Sequence, residues 1–332
     1  MSERYLVTGA NGHLGNNLVR GLVNQGKQVR ASVRNVNNTT PFEGLNCEVV
    51  FADMLDRDSL SKALQGIDIL YHPAAVFKHW AKDPQKEIIE PNLNGTRNVL
   101  EIAAQQEVKK IVYVSSIVAL DRTVVPMNES GWNTNFTNPY NHAKTVSEKL
   151  AWDLAKELSL WMVTVLPSAN VGPHAFGHLT PTMGFLNNVV KNPPPFDPNF
   201  VGNYVDVRDV AASMIAAAEK GKNGTRYILG NELPISTTRV FELAHALFPE
   251  ISQPPRIPKE ELIKIAAAFE TASQNSGEAP ALTVYNVELY YEADTRLDIS
   301  TAKRDLGYAP RNPEGAVKEA LMYLAKRDSN PK

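Results

Sequence analysis

The sequence predicts an α/β fold, a doubly wound parallel sheet followed by a small C-terminal lobe that closes over the sheet's carboxyl edge. Three observations lead there. Short apolar runs alternate with helical spacings through the first half of the chain, a glycine-rich turn joins the first run to the first helix, and the texture breaks up after Pro167. Strands alternating with helices require parallel βαβ units, because a parallel connection must cross the sheet.

Tyr5-Leu6-Val7 reads as the first strand, and His13 to Val23, with Leu14, Leu18, Leu22 and Val23 at helical spacing, as the first helix. Val29 to Val33, Cys47 to Phe51, Ile67 to Tyr71 and Lys110 to Val114 read as strands two to five, with a long helix from Glu87 to Gln106 before the fifth. A helix holding Tyr140 and Lys144 precedes a sixth strand, Trp161 to Leu166. Beyond it, Pro167, Pro173, Pro181 and Pro193-Pro194-Pro195 predict loops and short helices. Helices are expected at Val207 to Lys220, Thr237 to Leu247 and Glu314 to Ala325, and a strand at Arg226 to Leu229. Thr271 to Pro280 reads as a flexible loop, and Ile265 to Phe269 as core or pocket lid. The expected division is residues 1–170 for the core and 171–332 for a substrate-binding lobe, with about 203–230 returning to the core. The lobe reads as too interrupted to hold a large core of its own.

The chain has 332 residues, 43% apolar and 21% charged, enough for a sizeable core. A formal net charge of −2 and the absence of any Lys/Arg run speak against a nucleic-acid partner. No apolar stretch reaches the length of a membrane span. The N-terminus reads directly into a strand, and the lone Cys47 has no internal disulfide partner, so a cytoplasmic location is expected. His174 and His178 have metal-ligand spacing, but no clustered carboxylate or thiol supports them, and no metal is expected.

Thr8-Gly9-Ala10-Asn11-Gly12-His13-Leu14-Gly15 follows a strand and opens a helix. Glycines there let the backbone approach a pyrophosphate, and the helix N-terminus offers free N–H groups and a positive dipole end. This predicts a Rossmann-type dinucleotide site at the sheet's carboxyl edge. NAD enzymes commonly place a carboxylate at the end of the second strand. Val33 stands there, followed by Arg34, whose guanidinium suits the 2′-phosphate of NADP(H); the bland alternative is a solvated surface arginine.

Tyr140 and Lys144, four residues apart on a helix, share one face. An ammonium near a phenol favours the phenolate, so Lys144 is expected to lower the Tyr140 pKa and let it exchange a proton with a carbonyl oxygen. Ser115 and Ser116 end the fifth strand, where a hydroxyl could bond that oxygen.

Through these motifs the chain resembles the extended short-chain dehydrogenase/reductase family (the NAD-dependent epimerase/dehydratase superfamily) over nearly its whole length. Asp53-Met54 is similar to the family's adenine-contacting pair and His72-Pro73-Ala74-Ala75 to the segment along the cofactor. Asn92-Leu93-Asn94-Gly95-Thr96 is similar to its Asn-x-x-Gly-Thr signature, and Pro167-Ser168-Ala169-Asn170 to the nicotinamide segment. Tyr204 to Ala211 and Leu306-Gly307-Tyr308 resemble its C-terminal landmarks. Within the family the look is that of the dihydroflavonol 4-reductase-like group, through Val29 to Arg34, Asn128 to Trp132 and the helix Glu148 to Glu157. Leu120 stands where the plant enzymes carry a flavonoid-contacting asparagine, and Ala143 where the family has a serine.

The resemblance implies an NADPH-dependent aldehyde/ketone reductase. Tyr140 is then the acid, Lys144 also holds the nicotinamide ribose, Ser116 (with Ser115 as fallback) polarises the carbonyl, and Asn92 completes a proton relay. Phe77, His79 and Trp80, and separately His174 and Phe176, are candidates for the substrate pocket. Asp206 and Asp209 read as helix caps. The family's habit implies a homodimer through the helices near residues 87–106 and 140–157. Two rival readings share the motifs: a nucleotide-sugar epimerase or dehydratase with tightly bound cofactor, and a non-catalytic NADP sensor.

Overall fold

The computed structural model describes residues 3–327. In chain order the first half comprises β1 (Arg4–Val7), α1 (His13–Asn24), β2 (Gln28–Val33), β3 (Glu48–Phe51), α2 (Arg57–Leu64), β4 (Ile69–His72), α3 (Glu90–Gln105), β5 (Lys110–Val114), α4 (Pro139–Glu157) and β6 (Met162–Pro167). Then come β7 (Ala169–Val171), α5 (Pro181–Lys191), β8 (Val201–Gly202), β9 (Tyr204–Asp206), α6 (Val207–Lys220), β10 (Arg226–Leu229) and β11 (Ile235–Ser236). The chain closes with α7 (Thr237–Leu247), α8 (Lys259–Ser276), α9 (Val284–Tyr290), α10 (Ser300–Leu306) and α11 (Pro313–Lys326).

Seven strands form one parallel sheet in the order β3-β2-β1-β4-β5-β6-β10. The chain winds outward from β1 in one direction and from β4 in the other, so a topological switch point lies between them. Side chains alternate across the pleat. Tyr5, Val7, Ile69, Tyr71, Val112, Val114, Val163 and Val165 face one layer with α1, α6 and α10. Leu6, Leu70, Ile111, Tyr113 and Met162 face the other, with α2, α3 and α4. Apolar residues on both faces explain why these strands read as continuous apolar runs.

Before α3 the chain makes one π-helical turn, Gln85–Ile89. Pro91 has no N–H to answer a carbonyl in the preceding turn, and the wider turn absorbs the mismatch. Asp206 caps α6 by accepting the Arg208 N–H at 2.8 Å, and Asp209, in its first turn, accepts the Arg311 N–H at 2.7 Å.

Two expectations fail in the C-terminal half. Thr271 to Ser276 is not loop: α8 continues to Ser276 and ends at Gly277, whose φ of +69° supplies the left-handed cap. Small polar residues on a solvated helix face look like loop in sequence. The lobe also holds a core of its own, in which Val171, Met183, Leu186, Val189, Val240, Phe241, Leu243, Val317, Leu321 and Leu324 are buried together. Pro181 sits in the first turn of α5, with Thr180 as cap, so it starts a helix where the sequence suggested a break. No described helix is long and apolar enough to cross a membrane.

Candidate active site

The carboxyl ends of β1, β4 and β5 bring the expected site residues together. Thr8 ties two of them: its N–H donates to the Tyr71 carbonyl at 3.0 Å, and its hydroxyl meets His72 Nδ1 at 2.8 Å and accepts from Ala74 N at 3.3 Å. Gly9 has φ +56°, and a Cβ there would press on Ala74 Cα at 3.2 Å. A Cβ on Gly15 would collide with the Gly9 carbonyl. Gly12 caps α1 with backbone alone; no side chain among the described residues bonds its first N–H groups, and no acid sits in its first turn. An open, positive helix end beside a side-chain-free cradle fits a dinucleotide's pyrophosphate.

Pro173, which follows β7, closes one side. Its carbonyl accepts from His13 Nε2 at 3.1 Å and Asn17 Nδ2 at 3.0 Å. A carbonyl only accepts, so Nε2 carries the proton and Nδ1 is an acceptor; Nδ1 is buried with no partner among the described residues. Burial lowers the His13 pKa to about 4, so it is neutral and adds no charge to the cradle. Asn170 Oδ1 is likewise buried and unpartnered, and both orphans suit a polar ligand. Ser168 Oγ is also unpartnered but lies beside Gly230, 3.0 Å from where a Cβ would stand. Asp53 and Met54 follow β3: the Asp53 carboxylate accepts from Leu55 N at 2.9 Å, and Met54 Sδ lies only 2.6 Å from where a Gly95 Cβ would be. Arg34 is exposed just past β2, with no ion pair among the described residues.

α4 starts where Asn138 accepts the Tyr140 and Asn141 N–H groups at 2.9 and 3.2 Å, with Pro139 in the first turn. This start sets Tyr140 at the helix mouth and Lys144 one turn inward, both buried. Ser116, whose hydroxyl accepts from Val118 N at 3.4 Å, lies close enough to the Tyr140 phenol to pull its pKa down. The Ser115 hydroxyl donates to Glu148 Oε2 at 2.5 Å. Lys144 Nζ donates to the Val114 carbonyl at 3.1 Å. The Phe77 and His79 rings flank Tyr140, with centroids at 4.7 and 4.6 Å.

The electrostatics correct one expectation. Burial pushes the Tyr140 phenol above its ordinary value, Ser116 pulls it back, and Tyr290 pushes it further up. Burial of the phenol dominates, and the Lys144 ammonium, which donates to the Val114 carbonyl, is not among the groups that offset it. Lys144 is itself brought down to about 8 by burial, with Glu148 opposing. His72 falls to about 3, by burial first and the Lys144 charge second, and stays neutral.

Asn92 is occupied. Its Nδ2 donates to the Val76 and Ile88 carbonyls at 3.0 and 2.8 Å, and its Oδ1 accepts from Val76 N at 2.9 Å. It clamps the segment after β4 onto α3. His174 and Phe176 stack at 6.2 Å, with the Arg20 guanidinium 5.8 Å from the Phe176 ring. Phe176 therefore lies beside α1, and no ring contact joins either residue to Tyr140 among the described residues. No aromatic contact places Trp80 beside Tyr140 among the described residues.

The sequence reading missed Glu148 and Arg226. Glu148 accepts from Arg226 Nε at 2.8 Å, Thr164 Oγ1 at 2.9 Å and Trp152 Nε1 at 3.3 Å, and the Arg226 guanidinium lies 3.9 Å from the Trp132 ring. The available signal was a Glu one turn beyond Lys144, on the helix face that meets the sheet.

A switch-point glycine cradle with a tyrosine, lysine and serine beside it defines an NAD(P)-dependent class of reductases and epimerases. The chain belongs to the NAD dependent epimerase/dehydratase family, whose model matches residues 5–230. It is 29% identical over 330 residues to a Methylococcus capsulatus protein named sterol demethylase protein B, covering 97% of this chain and 98% of the relative. It is 31% identical over 339 residues to a putative dihydroflavonol 4-reductase of Synechocystis, covering 97% and 93%. The crystal structure of gox2253 matches with a TM-score of 0.82 at 29% identity, covering 97% of this chain and 98% of that one.

Glu148→Leu is expected to destabilise the fold by about 3–5 kcal/mol, because it leaves the Arg226 charge buried and unpaired. Replacing Arg226 by Leu in the same chain should restore much of that loss. Urea unfolding of the three proteins checks it, and a single variant as stable as wild type would contradict it.

Proposed function

We propose that this protein is an NADPH-dependent reductase that converts aldehydes and ketones to alcohols, reversibly. The observation that carries this reading is the convergence of Ser116, Tyr140 and Lys144 beside the glycine cradle. The cradle at Gly9, Gly12 and Gly15 would hold the pyrophosphate, and Arg34 the 2′-phosphate. Bound nicotinamide supplies the hydride. Ser116 donates a hydrogen bond to the carbonyl oxygen, and Tyr140 gives that oxygen its proton as the carbon is reduced. Burial keeps Tyr140 protonated, so it carries the proton that the reduced oxygen takes. Lys144 would hold the nicotinamide ribose and bring its charge to the developing alkoxide. Asn92 keeps the Val76 backbone, and with it the Phe77 flank, in place.

An epimerase could use the same groups. Arg34, exposed and without an ion pair among the described residues, and the aromatic flank of Phe77 and His79 favour a reductase with NADPH. The reductase name of the Synechocystis relative points the same way.

NADPH and NADH oxidation with a panel of aromatic and aliphatic carbonyls tests the reading. Turnover with NADPH supports it, and none with any carbonyl would move the assignment to a sugar nucleotide. Tyr140→Phe should lower kcat by about 10²- to 10⁴-fold, the share of a general acid, while NADPH titration remains unchanged. Arg34→Ala should weaken NADPH by about tenfold or more and NADH little, one charge-assisted contact being at stake; equal loss for both would place the 2′-phosphate elsewhere. The Lys144 ammonium, with its pKa at about 8, is present below that pH and lost above it. Reductive kcat/KM should therefore fall as pH rises through about 8, and a flat profile from neutral to strongly alkaline pH would show that its charge is not needed.

A further inference from the structure

The loop that leaves Ser116 carries Arg122 toward α9. The Arg122 Nε is enclosed and bonds nothing, and its guanidinium carbon lies 5.1 Å from the centre of the Tyr290 ring, at the last residue of α9. Tyr285, on the same helix, accepts a hydrogen bond from Asn141 Nδ2 at 3.2 Å, and Asn141 adjoins Tyr140 on α4. α9 thus links the Arg122 loop to the mouth of α4, where the reacting groups stand. The neighbouring Asp121 offers Arg122 no pairing: its carboxylate turns back to Thr123, accepting from N at 2.9 Å and Oγ1 at 2.7 Å. Among the described residues Arg122 has no hydrogen bond and no ion pair, whereas the half-buried Arg226 pairs with Glu148 and donates to the Glu129 and Gly131 carbonyls.

A guanidinium stays charged at any physiological pH, and an enclosed donor left without an acceptor is rare. Lying near an aromatic ring restricts its plane while leaving its edge donors free. That edge matches the two oxygens of a carboxylate. Burial raises both phenols; the Tyr290 charge adds to the rise at Tyr140, and Arg122 opposes it at Tyr285.

We propose that Arg122 is an anion subsite of this pocket and that the substrates are carbonyl compounds bearing a carboxylate. The carboxylate binds the Arg122 edge beside Tyr290 and Tyr285, and the carbonyl lies between Ser116 and Tyr140. The reacting half of this statement rests on the reductase reading above; the anion-binding half does not.

Two measurements separate the halves. Calorimetric titration of the NADP⁺-loaded protein with benzoate and with benzamide reads binding without turnover. Wild type should prefer benzoate by about tenfold or more. Arg122→Gln should erase the preference and Arg122→Lys keep part of it. Equal binding of the two compounds by wild type, or a preference that survives in Arg122→Gln, overturns the proposal. Turnover of phenylglyoxylate against its methyl ester then tests the substrate class: the acid-to-ester ratio of kcat/KM should fall about tenfold or more in Arg122→Gln. An unchanged ratio with both compounds reduced removes the carboxylate assignment and leaves the reductase standing. Benzoate selectivity with no carbonyl reduced removes the reductase and leaves the anion site.

Discussion

A single buried carboxylate, Glu148, holds the catalytic edge of this protein together. One turn beyond Lys144 on α4, it accepts hydrogen bonds from Ser115 on the β5 side, Thr164 on β6, Arg226 on β10 and Trp152 on its own helix. A charge with no solvent around it is tolerated only when its lone pairs are filled, and these donors fill them. The consequence is geometric. Ser115 is tied to α4 at Glu148, and the helix that carries Tyr140 and Lys144 is pinned to three strands at once. Arg226 extends the tie through the Glu129 and Gly131 carbonyls, at 2.7 and 3.0 Å, and the Trp132 ring.

The parallel sheet was legible because its strands are apolar on both faces, and its helices because their apolar residues recur at helical spacing. The glycine cradle was legible because only glycine fits the Gly9–Gly15 contact. Tyr140 and Lys144 were legible because four residues on a helix make neighbours whatever the rest of the chain does. The Glu148–Arg226 pair was not, because it joins residues 78 apart and neither carries a local signal. The pKa order of the site was also hidden. Proximity along a helix suggested that Lys144 would ionise Tyr140, whereas the depth of both groups, a property of the whole fold, decides the matter.

The C-terminal half misled for another reason. Prolines and small polar residues serve equally in loops and at helix starts or solvated helix faces. Pro181 and the stretch ending at Ser276 fall on the helical side through tertiary packing that no local window contains. The aromatic flank of Tyr140 divides the same way. Phe77 and His79 follow β4 and flank Tyr140, whereas His174 stacks on Phe176, whose ring lies beside Arg20 of α1.

The uncapped start of α1 has a consequence for the life of the protein. A helix end that no side chain among the described residues satisfies would be completed by an anion, so a nucleotide bound there would couple the folded population by mass action to its supply. A ligand at about a hundred times its dissociation constant adds about 2.7 kcal/mol to folding stability, comparable to the effect of a substantial core mutation. In a cell depleted of the nucleotide, the chain opens more often and meets proteases more often. Its abundance would then follow the metabolic state that its chemistry depends on.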